Sequence, residues 1–222
     1  MGNTLGSQYE TSSGFTTEAT PSFVAVGIYG AAFTSTDGIS WTARFPATPS
    51  SSDYLNEVTF GSSTFVSVGH YGKIFTSSDG ITWASRTSGT SNNLFGVAYV
   101  NNTFVVVGRY GTILTSSDGI TWTSRTSGTS NELWGVTYGN STFVVVGSGG
   151  TILTSSDGAT WTSRTSGDSG QLSCITYGNN TFVVFGGIFT SPDGITWTSR
   201  TSGDSGNSDT GRYGNVRSVT FR

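Results

Sequence analysis

Five tryptophans set the geometry of this chain before anything else does. Trp41, Trp83, Trp122, Trp161 and Trp197 recur at intervals of 42, 39, 39 and 36 residues, each closing a short motif such as Ser116-Ser-Asp-Gly-Ile-Thr-Trp122. Aligning 94–132 with 133–171 gives 29 identities in 39 positions. Repetition at that period means one supersecondary unit copied along the chain, each copy burying its apolar faces against its neighbours.

One repeat reads as four strands, A to D. Leu133–Tyr138 is a mixed strand that ends at Gly139-Asn140. Thr142–Val146 is a continuous apolar run, as suits a strand covered on both faces. Thr151–Thr154 follows a glycine turn, and Thr160–Arg164 follows Asp157-Gly158. Composition agrees: charged residues are only 10% of the chain and aromatics 13%, with 32 glycines, a balance that suits short strands and tight turns over helices. About 40 residues in four antiparallel strands is the length of one propeller blade.

The ends of the repeat predict how the blades close. The first copy starts at strand B (Ser22 to Val26), and the last ends in a strand A without a partner, Val216 to Phe221. The expectation is therefore an all-β, five-bladed β-propeller of four-stranded antiparallel blades, its ring closed by the C-terminal strand joining the N-terminal blade. The blades fall at 21–54 plus 215–222, 55–93, 94–132, 133–171 and 172–214, behind a polar arm over 1–20.

The repeated motif resembles the Asp-box (BNR-type) repeat of sialidase-like propellers. Here the aspartate and glycine are adjacent, one residue shorter than the family pattern, in all five copies: Asp37-Gly38, Asp79-Gly80, Asp118-Gly119, Asp157-Gly158 and Asp193-Gly194. The resemblance implies a C–D hairpin at the blade periphery. There the carboxylate accepts backbone N–H bonds, the glycine supplies a positive φ and the tryptophan packs between blades. It marks a fold and carries little function. In blade number and loop composition the chain also looks like the tachylectin-type five-bladed lectins.

Catalysis is not expected. Sialidases of the resembled family use an arginine triad, a tyrosine nucleophile and a carboxylate partner, whereas five of the ten basic residues here are one repeated arginine: Arg44, Arg86, Arg125, Arg164 and Arg200. Each lies on strand D, where charge discourages edge pairing. Glu57, Glu132, Asp53, Asp168, Asp204 and Asp209 all read as solvated residues of D–A connections, not as a pair held 5–9.5 Å apart on rigid elements, as a glycosidase requires. His70 is the single histidine and Cys174 the single cysteine, so no metal ligand set, disulfide or nucleophile–base pair is legible, and no cofactor is expected.

Partners follow from charge and from where the repeats differ. A net charge of −3, a pI near 4.9 and scattered basic residues offer no stripe for a phosphate backbone, so nucleic acid is not a partner. No apolar run approaches the roughly 20 residues that cross a bilayer. The copies diverge at the B–C turn (Tyr29, His70, Tyr71, Arg109, Tyr110) and at the start of strand A (Phe95, Trp134, Arg217), both on one face of the disc. Aromatic rings among Ser, Thr, Asn and Gly suit a sugar ligand, although the strand-A side chains could instead plug the axis. The expected function is a non-enzymatic binding or structural propeller. It would be a phage virion or surface-attachment component, a tail fibre or host-attachment subunit, that recognises a glycan or a partner subunit, with homo-oligomers open to it. A free-standing lectin is the alternative. A glycoside hydrolase, or an assembly factor similar to the photosystem II assembly propellers, ranks below both. The polar N-terminus has no secretory pattern, so the expected location is a virion or extracellular surface reached without a signal peptide, or otherwise the cytoplasm.

Overall fold

A computed structural model describes residues 21–44 and 54–201. The arm over 1–20, the insertions Phe45–Asp53 and Gly203–Asn215, the closing strand from Val216 and with it Arg217 lie outside the described residues.

Five antiparallel sheets follow one another along the chain. The first comprises β1 (Phe23–Val26), β2 (Ala32–Ser35) and β3 (Thr42–Arg44); the second β4 (Leu55–Gly61), β5 (Thr64–Gly69), β6 (Ile74–Ser77) and β7 (Ala84–Arg86). The third holds β8 (Leu94–Val100), β9 (Thr103–Gly108), β10 (Ile113–Ser116) and β11 (Thr123–Arg125). The fourth holds β12 (Leu133–Gly139), β13 (Thr142–Gly147), β14 (Thr151–Ser155) and β15 (Thr162–Thr165); the fifth β16 (Cys174–Gly178), β17 (Thr181–Phe185), β18 (Ile188–Ser191) and β19 (Thr198–Arg200). Each sheet is a meander in chain order. Four have all four strands A to D, while the described part of the first has B, C and D. This is an all-β, five-bladed β-propeller.

Strand identity follows from side-chain type. The B strands of the third and fourth blades carry runs of Val and Phe buried on both faces, Phe104–Val107 and Phe143–Val146, which is what packing between two neighbouring sheets requires. Side chains of the B strands build a core at each of three blade boundaries among the described residues. Val66, Val68 and Ile74 meet Leu94, Phe104 and Val106; Val105 and Val107 meet Leu133, Phe143 and Val145; Val144 and Val146 meet Leu172, Phe182 and Val184. Trp122, Trp161 and Trp197 pack partly buried against these three cores.

The box is a self-contained hydrogen-bonded turn. In the third blade Asp118 Oδ1 accepts from the backbone N–H of Ile120 and Thr121, each at 2.8 Å, and from the Ser116 hydroxyl at 2.9 Å. Trp122 Nε1 donates to the Gly119 carbonyl at 3.1 Å. Gly119 has φ +72°, and a side chain there would also press on Val66 of the blade before. The other four boxes repeat the pattern around Asp37, Asp79, Asp157 and Asp193. Each repeated arginine sits on strand D and donates through Nε to a strand-C threonine, as Arg125 does to Thr115 at 2.8 Å.

Candidate ligand-binding site

The B–C turns and the starts of the A strands share one face. The link is direct: His70 N–H donates to the Tyr54 carbonyl at 2.9 Å, Arg109 N–H to Asn93 at 2.8 Å and Ser148 N–H to Glu132 at 2.8 Å. Each acceptor directly precedes strand A of the same blade. The boxes lie at the opposite end of the strands.

The turns hold a tyrosine in the left-handed region in three consecutive blades. Tyr29, Tyr71 and Tyr110 have φ of 59°, 56° and 55° and are 53%, 62% and 60% exposed. A non-glycine residue in this region is costly and concentrates at functional sites; the fourth blade places Gly149 there instead. Around the first two tyrosines an aromatic group assembles. His70 stacks on Tyr54 at 5.0 Å and 24°, Tyr29 lies 6.0 Å from Tyr54, and His70 meets Tyr71 edge-on at 6.2 Å. In the third blade the Arg109 guanidinium lies 4.8 Å from the centre of the Tyr110 ring and its Nε is 3.2 Å from Glu132 Oε1.

Beside these turns are two clefts related by the repeat. One, of about 480 Å³, is lined by Asn92, Tyr110, Thr112, Arg125, Ser127 and Thr129. The next, of about 420 Å³, is lined by Asn131, Thr151, Arg164, Ser166 and Asp168 together with Gly149 and Gly150. The walls are held by the same bonds in both: Asn92 Nδ2 donates to Thr112 Oγ1, and Asn131 Nδ2 to Thr151 Oγ1, each at 2.9 Å. These clefts escape a reading that looks only where repeats differ, because most of their lining is common to the third and fourth blades.

A third cavity, of about 430 Å³, lies on the axis, where the lining draws on all five blades. Phe95 and Trp134, candidate ligand contacts by sequence, meet here with rings stacked at 4.3 Å and 20°, and Trp134 Nε1 donates to Ser148 Oγ at 3.0 Å. Glu57 corrects an expectation. It is not in a connection but in β4, where a bulge between Leu55 and Glu57 turns it to the axis with its side chain exposed to the cavity. One carboxylate oxygen accepts the Val97 N–H of the next blade at 2.7 Å, while its neighbour Asn56 donates from Nδ2 to the Leu94 carbonyl at 2.7 Å. Its side chain is exposed to the cavity, while the protein around the axis holds bulk solvent back and raises its pKa to about 7. Cys174, in the same lining, is buried and its thiol pKa is raised for the same reason. The signal for Glu57 was in the repeat: the positions matching it hold Gly96, Gly135 and Cys174.

Fold and face together define a β-propeller with ligand-sized recesses on one side. No protein-family model matches the chain, and no curated protein matches it. Among solved structures it is similar to YCF48 bound to D1 peptide, with a TM-score of 0.62 and 18% identity over 79% of this chain and 62% of that one. It is similar also to YCF48 from Cyanidioschyzon merolae, with a TM-score of 0.58 and 17% identity over 80% of this chain and 68% of that one. Virginiamycin B lyase from Staphylococcus aureus gives a TM-score of 0.66 at 12% identity, over 82% of this chain and 70% of that one. The chain thus spans about two thirds of the length of these propellers, and at such identities the likeness is one of fold.

Proposed function

We propose that this propeller is a non-catalytic recognition protein whose loop face binds carbohydrate at repeated rim clefts, as a surface-attachment subunit of a larger particle such as a phage virion. The observation that carries the reading is the pair of repeat-related clefts of about 420 and 480 Å³, within the range of small-ligand pockets, roughly 300–1,000 Å³. Their walls offer hydroxyls, amides and one guanidinium each, with the Tyr110 ring at one of them. Short polar groups match sugar hydroxyls, and a ring edged by them matches a pyranose face. Sites repeated around one disc favour a multivalent target, for which avidity adds to a weak single-site affinity.

Presentation of the labelled protein to a glycan array, followed by calorimetry on any glycan that responds, tests this. Replacing Tyr110 by Gly, the residue at the matching place in the fourth blade, should weaken glycan binding several-fold without lowering the melting temperature. Silence on the array at high protein concentration, with the fold verified by circular dichroism, would overturn the carbohydrate reading.

A protein partner is the second reading. The aromatic group in which exposed Tyr29 and Tyr71 flank half-buried Tyr54 and His70 favours it, as does the likeness to a propeller solved with a peptide bound. Light scattering together with co-sedimentation on candidate particles separates the two.

A further inference from the structure

We propose that the axial cavity is a separate site for an organic ammonium ion, with Glu57 as its counter-ion and the Phe95–Trp134 stack as its apolar wall. The site is built from other residues than the rim clefts and does not depend on their function.

The position of the carboxylate is the first argument. The carboxylate is exposed to the cavity, and among the described residues no cation pairs with it. Its one hydrogen bond, from Val97 N–H, does not require a charge. The boundaries between the third, fourth and fifth blades form with Gly96 and Gly135 at the matching positions, so joining the blades does not need a carboxylate.

The rest of the lining selects the kind of cation. A calcium or magnesium ion takes six or more oxygen ligands, and no group of three metal-binding side chains exists among the described residues. The Asn56 amide nitrogen is already engaged with Leu94. A stack of two aromatic rings beside one carboxylate suits a cation that carries carbon with it. The ammonium head pairs with the carboxylate while its alkyl stem lies along the rings, whose faces also attract positive charge. At about 430 Å³ the cavity accepts a primary amine on a short chain, such as the end of a lysine side chain.

Proton linkage gives a second signature. Glu57 and Cys174 are the titratable side chains facing the cavity among the described residues, and the thiol is held protonated by burial. An ammonium ion that ionises Glu57 releases a proton near neutral pH, so uptake should strengthen as pH rises from 5 to 8.

Calorimetric titration with n-butylammonium chloride, against n-butanol as the neutral match, tests the proposal. Saturable one-to-one binding of butylammonium, at least tenfold tighter than butanol, is expected. Glu57→Gln should lose at least tenfold in affinity, while Tyr110→Gly, altered only at the rim, should bind butylammonium as before whatever it does to glycans. If Glu57→Gln does not fold, the carboxyl carbon shift of Glu57 in the wild-type protein at pH 6.5 should move to its ionised value as butylammonium is added. Equal binding of butanol, unchanged affinity in Glu57→Gln, or an immobile carboxyl shift would each overturn the proposal.

Discussion

Phe95 and Trp134 stack face to face across the boundary between the third and fourth blades, at 4.3 Å and 20°. Their neighbours at the matching strand-A positions are the polar Asn56 and Ser173, so one side of the axis is aromatic and the other is not. Each ring covers the other and closes part of the cavity wall. Truncating Trp134 to Ala should cost about 2–3 kcal/mol, below the value for a fully buried tryptophan because the ring is half-buried. A double-mutant cycle with Phe95→Ala should return a coupling of about 1 kcal/mol, the usual worth of an aromatic pair beyond its area. Urea denaturation measures both. A coupling near zero would mean that the rings are neighbours without mutual support.

The five boxes give the fold a defined response to acid. The N–H groups of Thr121 and Ile120, then the Ser116 hydroxyl, hold the Asp118 pKa down to about 2 from 3.8. Those of Thr160 and Ala159, then Ser155, do the same for Asp157. In the unfolded chain these groups bind protons at a higher pH, so between about 4 and 2 the unfolded state holds more protons. Stability is therefore full above pH 4 and falls as pH drops through 2. Denaturant midpoints measured at pH 5, 3 and 2 should show this loss, with a shallower slope in Asp118→Ala. At pH 7 that variant should be less stable by about 1–2 kcal/mol, the cost of removing a side chain that satisfies turn N–H groups.

Two glycines let aromatic rings cross blade boundaries on the box side. A Cβ on Gly61 would overlap the Tyr99 ring, and one on Gly139 would overlap the Tyr177 ring. Neither glycine needs a positive φ, so the demand is for space alone. Gly61→Ala should destabilise by about 1–3 kcal/mol through overpacking, and Tyr99→Ala in the same chain should recover part of that loss. Independent losses that simply add would show that the ring moves aside freely. Thermal melts of the two single variants and the double variant decide it.

Most of this architecture could be read from residue types. The Trp spacing fixed five units, the Thr142–Val146 run marked a strand covered on both faces, and Asp157-Gly158 marked the hairpin after strand C. These are local signals, set by side-chain type and turn chemistry. The axial site was not legible because it depends on a bulge. Simple alternation places Glu57 by its distance from the last turn, whereas the break in register after Leu55 decides that it faces the axis. The rim clefts were missed for a different reason. Arg125 and Arg164 were read as edge charges, and their role in a cleft wall emerges only when the incoming Asn92 or Asn131 connection is laid beside them.

Glu57 should act on stability in the opposite sense to the boxes, and in a separate pH window. Its folded pKa is raised from 4.5 to about 7, so the native state binds more protons than the unfolded state between those values. Its contribution is therefore full below pH 4.5 and is lost as pH rises through 7. Because water reaches the cavity, the loss is smaller than the same shift would give in a dry core. Glu57→Gln keeps the shape and the acceptor for Val97 N–H but cannot titrate. Its stability relative to the wild type should rise from pH 5 and level off above about pH 7, in a window where the box aspartates are already ionised in both folded and unfolded chains. Urea midpoints of the two proteins at pH 5, 6, 7 and 8 give the difference directly. Parallel curves would mean that the Glu57 carboxylate is solvated as an ordinary surface acid, and the same result would remove its claim to pair with a cation on the axis.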